Sequence, residues 1–285
     1  MLLFLFRLFS RLPLWSLHCM GAFFGRIVGA LAPAYRAMVR ANLAQARIEA
    51  PGLQGRIAAE TGKGIFELPF VWLRSPSDLL ACTTTTGWSW VDAARERGRG
   101  IIFLTPHLGC FEVTAQFFAL NTPDRAPMTV LYRPPRKTAL RPIIELGRSR
   151  TNLRPAPADL SGVRQLLRAL KRNEAIGLLP DQVPSQGEGV WAPYFGRAAY
   201  TMTLPAKLAQ LTGATILLAY GDRLARGAGW VVRIFPFDEE LTGSPEEQAH
   251  QINLAMERII RMAPEQYFWG YNRYKKPKGV APPPA

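Results

Sequence analysis

The stretch that decides the fold reads Ile101-Ile-Phe-Leu-Thr-Pro-His107-Leu-Gly-Cys-Phe-Glu112. Its first four residues form an apolar run typical of a buried strand, and the proline ends that strand. His107 then lies in a turn before an apolar helix that we predict from Cys110 to Leu120. If His107 lies just before this helix and Glu112 in its first turns, the carboxylate can hold one imidazole nitrogen and raise its basicity. An alcohol needs such a base to become nucleophilic.

A histidine beside a helix start is also a common polar loop residue, so the spacing leaves two interpretations of His107 open. The chain has three histidines. His18 and His250 lack the combination of a preceding apolar run and a following carboxylate. His107 is therefore the candidate general base.

Composition bounds the class of protein. The 285 residues suffice for one large α/β domain or two small ones, and an apolar fraction of 48% excludes a disordered chain. Lys and Arg outnumber Asp and Glu by 35 to 21, which gives a net charge of +14. Such an excess indicates an anionic partner, which is nucleic acid, an anionic lipid surface or an acidic protein. The three cysteines have no metal-binding spacing and no even-numbered disulfide framework, as in a reducing compartment.

The N-terminal segment, residues 1–35, is apolar and basic. Its longest uncharged stretch has 14 residues, 12–25, whereas a spanning helix needs about 20 apolar residues. No small-residue cleavage site follows to indicate a signal peptide. Aromatic residues between arginines favour a helix in the bilayer interface, or a tilted anchor whose arginines reach the headgroups, over a buried pair of helices. We expect attachment to the membrane from the cytoplasmic side.

Hydrophobic periodicity organises the rest of the chain. Strands alternate with helices, which predicts an α/β fold with a largely parallel central sheet flanked by helices, behind an N-terminal helical membrane anchor. No internal repeat, nucleotide fingerprint or linker is visible, so we predict one domain over residues 36–276 and a disordered Pro- and Ala-rich tail over 277–285. The predicted helices are 36–50, 53–73, 88–97, 110–120, 138–150, 160–171, 203–211 and 245–262 (capped by Ser244), and the predicted strands are 83–86, 101–105, 128–132, 175–179, 215–220 and 230–235.

Two further segments place polar residues after predicted strands, where ligands bind in α/β proteins. Arg133 lies in a basic segment that suits a phosphate or carboxylate, although a solvated loop explains it equally well. Asp181 and Gln182 follow the strand 175–179. Asp181 can pair bidentately with Arg133 near His107, although an Asx turn is the common alternative.

A third segment is an aromatic loop that contains Phe195, Gly196 and Arg197. Such a loop can form an apolar wall with a polar tip, as a site for an acyl chain and its head group requires. None of the three segments is specific when it is taken alone.

Taken in order, the motifs resemble the bacterial lipid A late acyltransferase family, within the lysophospholipid-type acyltransferases. The resemblance covers most of the chain, from the basic apolar N-terminus to the ending Tyr267–Lys275. The chain differs from the family pattern at Cys110-Phe111, Tyr194 and Asn272. The resemblance therefore does not give the preferred acceptor or the preferred acyl chain length. The motifs are H-x4-E from His107, Tyr-Arg-Pro at 132–134, Pro-Asp-Gln at 180–182 and Tyr-Phe-Gly-Arg at 194–197.

The resemblance implies acyl transfer from a thioester on acyl carrier protein to a hydroxyl of a lipid A precursor, at the cytoplasmic face of the bacterial inner membrane. It implies that His107 is the catalytic base and Glu112 its partner. Direct transfer needs no Ser or Cys nucleophile, no metal and no cofactor. Backbone N–H groups after Gly109, or Arg133, are the candidate oxyanion donors. The implied substrate-binding residues are Arg133, Asp181, Gln182, Phe195, Gly196 and Arg197.

The positive charge suits three partners at once, namely an acidic carrier protein, the phosphates of the precursor and the anionic membrane surface. Two alternatives remain. An acyltransferase for another phospholipid or glycolipid would use the same pair, although such members more often carry Asp where this chain has Glu112. A basic non-enzymatic membrane- or nucleic-acid-binding protein explains the charge but not His107 and Glu112. Because the aromatic residues form no base-stacking pattern, we expect no nucleic acid partner.

Overall fold

The computed structural model describes residues 2–122, 127–132, 143, 147 and 152–283. The described helices are α1 (Leu2–Ser10), α2 (Leu14–Leu31), α3 (Pro33–Ala46), α4 (Leu53–Phe66), α5 (Leu68–Leu73), α6 (Pro76–Ala81), α7 (Trp88–Glu96), α8 (Phe111–Leu120), α9 (Leu160–Lys171), α10 (Leu204–Thr212) and α11 (Pro245–Ile260). The described strands are β1 (Thr83–Thr86), β2 (Ile101–Leu104), β3 (Met128–Tyr132), β4 (Leu153–Pro157), β5 (Ala175–Leu178), β6 (Gly189–Tyr194), β7 (Arg197–Met202), β8 (Thr215–Arg223) and β9 (Trp230–Pro236).

Within the described residues, seven strands form one sheet in the order β1-β9-β8-β2-β5-β3-β4. Neighbouring strands run parallel except β8 and β9, which are antiparallel. Strands β6 and β7 form a separate antiparallel hairpin. This arrangement confirms the predicted α/β fold with a largely parallel central sheet flanked by helices.

Apolar side chains cover both faces of the sheet. On β2, Ile102 and Leu104 belong to one buried cluster, and Ile101 and Phe103 belong to the other. Side chains alternate between faces along a strand, so β2 contributes to both. Helices α9, α10 and α11 contribute to the first cluster, and α2, α5 and α8 contribute to the second.

The register of β2 and β5 determines where the functional residues meet. Leu104 of β2 lies opposite Leu178 of β5, and the backbone N–H of Thr105 donates to the carbonyl of Leu178 at 3.0 Å. Because the two strands are parallel, the residues that follow them leave the sheet at the same edge. His107 and Asp181 are brought together in this way.

Some elements differ from their prediction for identifiable reasons. Strand β4 was not predicted because Pro155 and Pro157 argue against a strand, but β4 lies at the edge of the sheet, where proline is tolerated. The predicted helix 53–73 divides into α4 and α5, with a proline in the first turn of α5. The predicted helix 138–150 lies largely outside the described residues. The Ser244 cap is confirmed, because its hydroxyl accepts from the Glu247 N–H at 3.2 Å.

The N-terminal segment forms α1 and α2. Among the described helices, α2 alone is long and apolar enough, by length and composition, to cross a membrane, and about a third of it is buried against the rest of the chain. It packs against α4 at glycines. A Cβ on Gly21 would lie 2.7 Å from the carbonyl oxygen of Gly62, so the two backbones are close. Helix α2 is a candidate membrane anchor that also belongs to the folded domain.

Residues 277–283 lie beside the β6–β7 hairpin. The indole N–H of Trp191 donates to the carbonyl of Ala281 at 2.9 Å, and the amide of Gln186 donates to that of Gly279 at 3.2 Å. The composition predicted disorder for this tail, whereas these contacts give its described part a defined place.

Candidate active site

The turn that carries His107 is held by backbone hydrogen bonds on both sides. The N–H of Gly109 donates to the carbonyl of Gln266 at 3.0 Å, and that of Cys110 donates to Gly221 at 2.8 Å. The N–H of Phe268 donates to the carbonyl of His107 at 3.0 Å. Gly109 has a φ of +59°, and a Cβ there would lie 2.1 Å from the Gly221 oxygen, so glycine is required.

Asp181 holds His107 by two hydrogen bonds. The imidazole Nδ1 lies 2.8 Å from Oδ1 of Asp181, and the backbone N–H of His107 donates to Oδ2 at 2.9 Å. The sequence predicted Glu112 as the carboxylate on this ring. The structure instead places Asp181 at Nδ1 and Gln182 at Nε2.

These contacts fix the tautomer of His107. A carboxylate only accepts hydrogen bonds, so Nδ1 carries the proton and donates to Asp181. The lone pair is then on Nε2, which lies 3.1 Å from the amide nitrogen of Gln182. The His107 side chain is partly exposed. In this state Nε2 can accept a proton from a bound hydroxyl.

Asp181 is 2% exposed. Burial by itself would raise the pKa of this carboxyl, but the charge and hydrogen bonds of His107, with the charge of Arg273, hold the pKa below its ordinary value. Nearby, the Tyr271 hydroxyl accepts from the N–H of Val183 at 3.0 Å. Tyr271 therefore stabilises the loop that carries Asp181, and Arg273 favours the ionised form of the Asp181 carboxyl.

Glu112 lies in the first turn of α8 and is buried. Its Oε2 accepts a hydrogen bond from the indole N–H of Trp72 at 3.1 Å. The Trp72 ring in turn stacks on Phe6 of α1, with 6.1 Å between centroids. Glu112 thus lies beside the base and connects α8 to the N-terminal helices through Trp72.

Two cavities, each of about 290 Å³, reach His107 from different sides. Both are lined by His107, Phe111 and Glu112. We name them the strand cavity and the helix cavity. The strand cavity is also lined by Ala115, Val130, Leu131, Leu153, Ala158, Leu179, Gln182, Val183, Pro184 and Met202. The helix cavity is also lined by Glu60, Thr61, Gly64, Ile65, Glu67, Leu68, Gly109, Cys110, Arg223, Gln266 and Phe268.

Comparison with known proteins identifies the family of the chain. The sequence profile described as bacterial lipid A biosynthesis acyltransferase matches residues 1–276. The chain belongs to this family. It is an acyltransferase of lipid A biosynthesis, and the resemblance stated from the motifs is confirmed.

Individual relatives are distant but extensive matches. The chain is 27% identical over 222 residues to a lipid A biosynthesis lauroyltransferase of Escherichia coli K12, which covers 77% of this chain and 71% of that protein. It is 26% identical over 215 residues to a lipid A biosynthesis palmitoleoyltransferase of the same strain, covering 75% and 68%. A lipid A biosynthesis acyltransferase of Shigella flexneri matches with the same values.

In this acyltransferase, the structure brings some of the predicted site residues together and not others. Asp181 and Gln182 contact His107. Arg133, and with it the predicted pair with Asp181, lies outside the described residues. Both oxygens of Asp181 accept hydrogen bonds from His107.

The aromatic motif lies at the turn of the β6–β7 hairpin. Phe195 is 6% exposed and packs in the core, with its ring 5.8 Å from that of Trp269. The guanidinium of Arg197 lies 4.7 Å from the ring centroid of Tyr274. The described residues that line the two cavities of the acyltransferase do not include Phe195, Gly196 or Arg197.

One expectation about the reacting groups changes in detail. The N–H of Cys110, the first of the groups after Gly109 that the sequence offered as oxyanion donors, already donates to the carbonyl of Gly221. Burial raises the pKa of the Cys110 thiol well above its ordinary value, and the Glu67 charge adds to this effect. A thiol in this state is a poor nucleophile. Within the described residues, no cluster of three or more His, Cys, Asp or Glu side chains could hold a metal ion.

A buried ionic cluster that was not predicted from the sequence lies beside the helix cavity. Glu67 accepts hydrogen bonds from Nε and Nη2 of Arg223 at 2.8 and 2.6 Å, from Nε2 of His18 at 2.9 Å and from the indole of Trp230 at 3.2 Å. Although burial opposes it, Arg223 holds the pKa of Glu67 far below its ordinary value. The only signal in the sequence is an arginine at the end of the apolar strand β8.

Proposed function

We propose that this protein transfers a fatty acyl group from a thioester on acyl carrier protein to a hydroxyl of a lipid A precursor, with His107 as the general base. The proposed location is the cytoplasmic face of the bacterial inner membrane. One observation carries the proposal. His107 lies where the two cavities meet, and Asp181 fixes its tautomer so that Nε2 holds the lone pair.

The reaction follows from this arrangement. Nε2 of His107 takes the proton of the acceptor hydroxyl as its oxygen attacks the thioester carbonyl carbon. The negative charge of Asp181 stabilises the imidazolium that forms. When the tetrahedral intermediate collapses, the C–S bond breaks and the imidazolium returns the proton to the departing thiolate. An ester forms and the carrier thiol is released without an acyl-enzyme.

The neighbouring polar residues have distinct proposed roles. Glu112 lies beside the base and favours the imidazolium through its negative potential, without holding the ring. Gln182 occupies Nε2 in the resting site. When a hydroxyl takes that position, the Gln182 amide is free to donate to the developing oxyanion. Arg133 is proposed, from the sequence, to bind an anionic group of a substrate.

The hairpin motif has a supporting role in this proposal. The N–H of Phe195 donates to Glu257 of α11 at 2.6 Å, and the amide of Gln45 donates to the Phe195 carbonyl at 2.7 Å. Phe195, Gly196 and Arg197 are thus proposed to act on substrate binding through the position of the hairpin rather than by contact.

The basic charge supports the proposed partners. A net charge of +14 attracts an acidic carrier protein, the phosphates of the acceptor and an anionic membrane surface. The named relatives are a lauroyl- and a palmitoleoyltransferase. A fatty acyl chain is therefore the proposed group for transfer.

Mass spectrometry of the lipid product tests the proposal. The full chain is incubated with a tetra-acylated lipid A precursor and a mixture of acyl carrier protein thioesters, and in parallel with coenzyme A thioesters. We expect a product heavier by one acyl chain from the carrier thioesters, lost in His107→Ala and kept in His250→Ala, a histidine of α11. A folded protein that gives no product, or works equally with coenzyme A thioesters, contradicts the proposed donor reaction.

A further inference from the structure

Helices α1 and α2 expose many large apolar side chains on one side of the molecule. The surface continues onto the end of α4, because Phe24 stacks on Phe66 at 5.6 Å and Phe9 meets the same ring edge-on at 6.2 Å. Contiguous exposed apolar surfaces of this kind mark protein or membrane contacts. This surface, which we name the apolar face, consists of Phe4, Leu5, Leu8, Trp15, Phe23, Phe24, Ile27, Val28, Leu31 and Ile65.

The opposite side of α2 is fastened to the domain along its length. Near its start, His18 bonds to the buried Glu67 at 2.9 Å. In its middle, a Cβ on Gly25 would lie 2.1 Å from the carbonyl oxygen of Ala58, so α2 and α4 are in backbone contact. Near its end, Gly29 is also buried. Helix α2 therefore exposes one side to solvent, whereas a membrane-spanning helix needs an apolar environment around its whole circumference.

Length agrees with this conclusion. Helix α2 has 18 residues, and at about 1.5 Å per residue it is about 27 Å long, slightly less than the hydrocarbon core of a bilayer. If α2 were perpendicular to the membrane, the part of α4 that packs on it would have to enter the hydrocarbon as well. Helix α4 carries Glu60 and Lys63, and Glu60 accepts from buried Arg223 at 2.7 Å. That arrangement is costly in hydrocarbon.

The helix cavity opens beside the apolar face. Ile65, which is 62% exposed, belongs to the face and also lines the cavity. Phe268, which is 40% exposed, lines the same cavity. Exposed cations on α1, in the turn that follows it and on α2, namely Arg7, Arg11 and Arg26, suit the anionic headgroups of a bilayer. Apolar side chains flanked by basic residues are typical of helices that lie in the membrane interface.

We propose that α1 and α2 lie in the plane of the membrane interface with the apolar face in lipid, and hold the opening of the helix cavity against the bilayer. The lipid acceptor then reaches His107 from within the membrane, while the strand cavity receives the thioester from the aqueous side. The assignment of acceptor and donor rests on the proposed function. The placement in the membrane rests on the exposed and fastened sides of α2.

Depth-dependent quenching of single-cysteine probes tests the placement. Cys19 is exposed on the same side of α2 as Phe23 and Ile27. All probes are made in a background that carries Cys82→Ser and Cys110→Ala. The first probe is a fluorophore on Cys19. For the other three, Cys19 is replaced by Ser and the fluorophore is attached at Phe23→Cys, Ile27→Cys or Ile65→Cys. The full chain is bound to vesicles of phosphatidylethanolamine and phosphatidylglycerol that contain lipids brominated near the headgroup or near the chain end. Arg168→Cys on α9 is the control.

An in-plane α2 predicts that the four probes are quenched equally, and more strongly by the bromines near the headgroup, while the Arg168→Cys probe is not quenched. An upright α2 places positions 19 and 27 at depths about 12 Å apart, since each residue rises about 1.5 Å. A gradient of depth from 19 to 27 would therefore overturn the in-plane placement. Quenching on α2 without quenching at position 65 would overturn the position of the cavity opening.

Flotation of the same vesicles gives an independent measurement on the unlabelled protein. Phe23→Glu should weaken vesicle binding by at least about tenfold, because it replaces an apolar side chain buried in lipid by a charge. Leu160→Glu, at an apolar position on α9 that is also exposed, should bind like the parent. Equal effects of the two substitutions contradict the proposed face. Neither measurement depends on catalysis. A failure of the proposed reaction and a failure of the membrane placement are therefore distinguishable.

Discussion

Both carboxylate oxygens of Asp181 accept hydrogen bonds from His107, one from the imidazole Nδ1 at 2.8 Å and one from the backbone N–H at 2.9 Å. The aspartate therefore fixes both the position of the residue and the tautomer of its ring. This relationship places the lone pair of the base on Nε2, next to Gln182 and the strand cavity.

The first prediction concerns this carboxylate. Asp181→Asn should lower turnover by at least about 100-fold, because the amide accepts from the backbone N–H but donates to Nδ1, which moves the ring proton to Nε2. Acyl transfer is measured together with the melting temperature. The control is Asp238→Asn, an exposed aspartate that pairs with Arg258, and it should keep full activity. Unchanged turnover in Asp181→Asn would show that the tautomer does not matter.

Glu112 should have a smaller effect, because it lies beside the base without holding the ring. Glu112→Gln keeps an oxygen for the indole of Trp72 but removes the charge. We expect turnover to fall by about tenfold, which corresponds to about 1.4 kcal/mol of lost transition-state stabilisation. Glu49→Gln, at an exposed position, is the control. A loss larger than that of Asp181→Asn would mean that Glu112 is the principal partner of the base.

The turn of His107 predicts a difference between two glycines. Gly109→Ala places a side chain at a φ of +59° and within 2.1 Å of the Gly221 oxygen. It should destabilise the fold by about 1–3 kcal/mol or more and reduce transfer by displacing the base. Gly55→Ala in α4, where a Cβ would meet nothing within 4 Å, should stabilise by about 0.5–1 kcal/mol. Urea unfolding of both variants checks this, and equal stabilities would contradict it.

The buried cluster predicts a dependence of stability on pH. The pKa of Glu67 is lowered in the folded protein, so its stabilisation is fully present above the ordinary glutamate pKa of about 4.3 and is lost as pH falls through the folded value. Glu67→Gln leaves Arg223 buried without its anion and should cost about 3–5 kcal/mol at pH 7. The difference from the parent should shrink below about pH 4. Exposed Glu96→Gln should show no difference at either pH, and a constant gap for Glu67→Gln would contradict the ionic account.

The local parts of this site were predictable from sequence and the nonlocal parts were not. The apolar run before His107 and the helix after it identify the base from adjacent residues. The choice between Glu112 and Asp181 depends on β2 lying beside β5, which is a property of sheet order. Sequence proximity favoured Glu112, but α8 directs its carboxylate toward Trp72.

The hairpin shows the same limit. Phe195 and Gly196 occupy the turn with φ values of +47° and +74°. A positive φ is uncommon for phenylalanine, so the sequence did not predict a tight turn there. Phe195 is held in this conformation by burial against Trp269 and by hydrogen bonds to Gln45 of α3 and Glu257 of α11. These contacts come from residues distant in sequence, and only the assembled fold shows them.

The most direct test of the central claim is a double-mutant cycle on acyl transfer with His107→Ala, Asp181→Asn and the double variant, all folded as judged by melting temperature. If Asp181 acts through His107, each single variant should lose at least about 100-fold in rate. The double variant should then be at most a few-fold slower than His107→Ala. Near-parental transfer by His107→Ala, or losses that multiply in the double variant, would contradict His107 as a base positioned by Asp181.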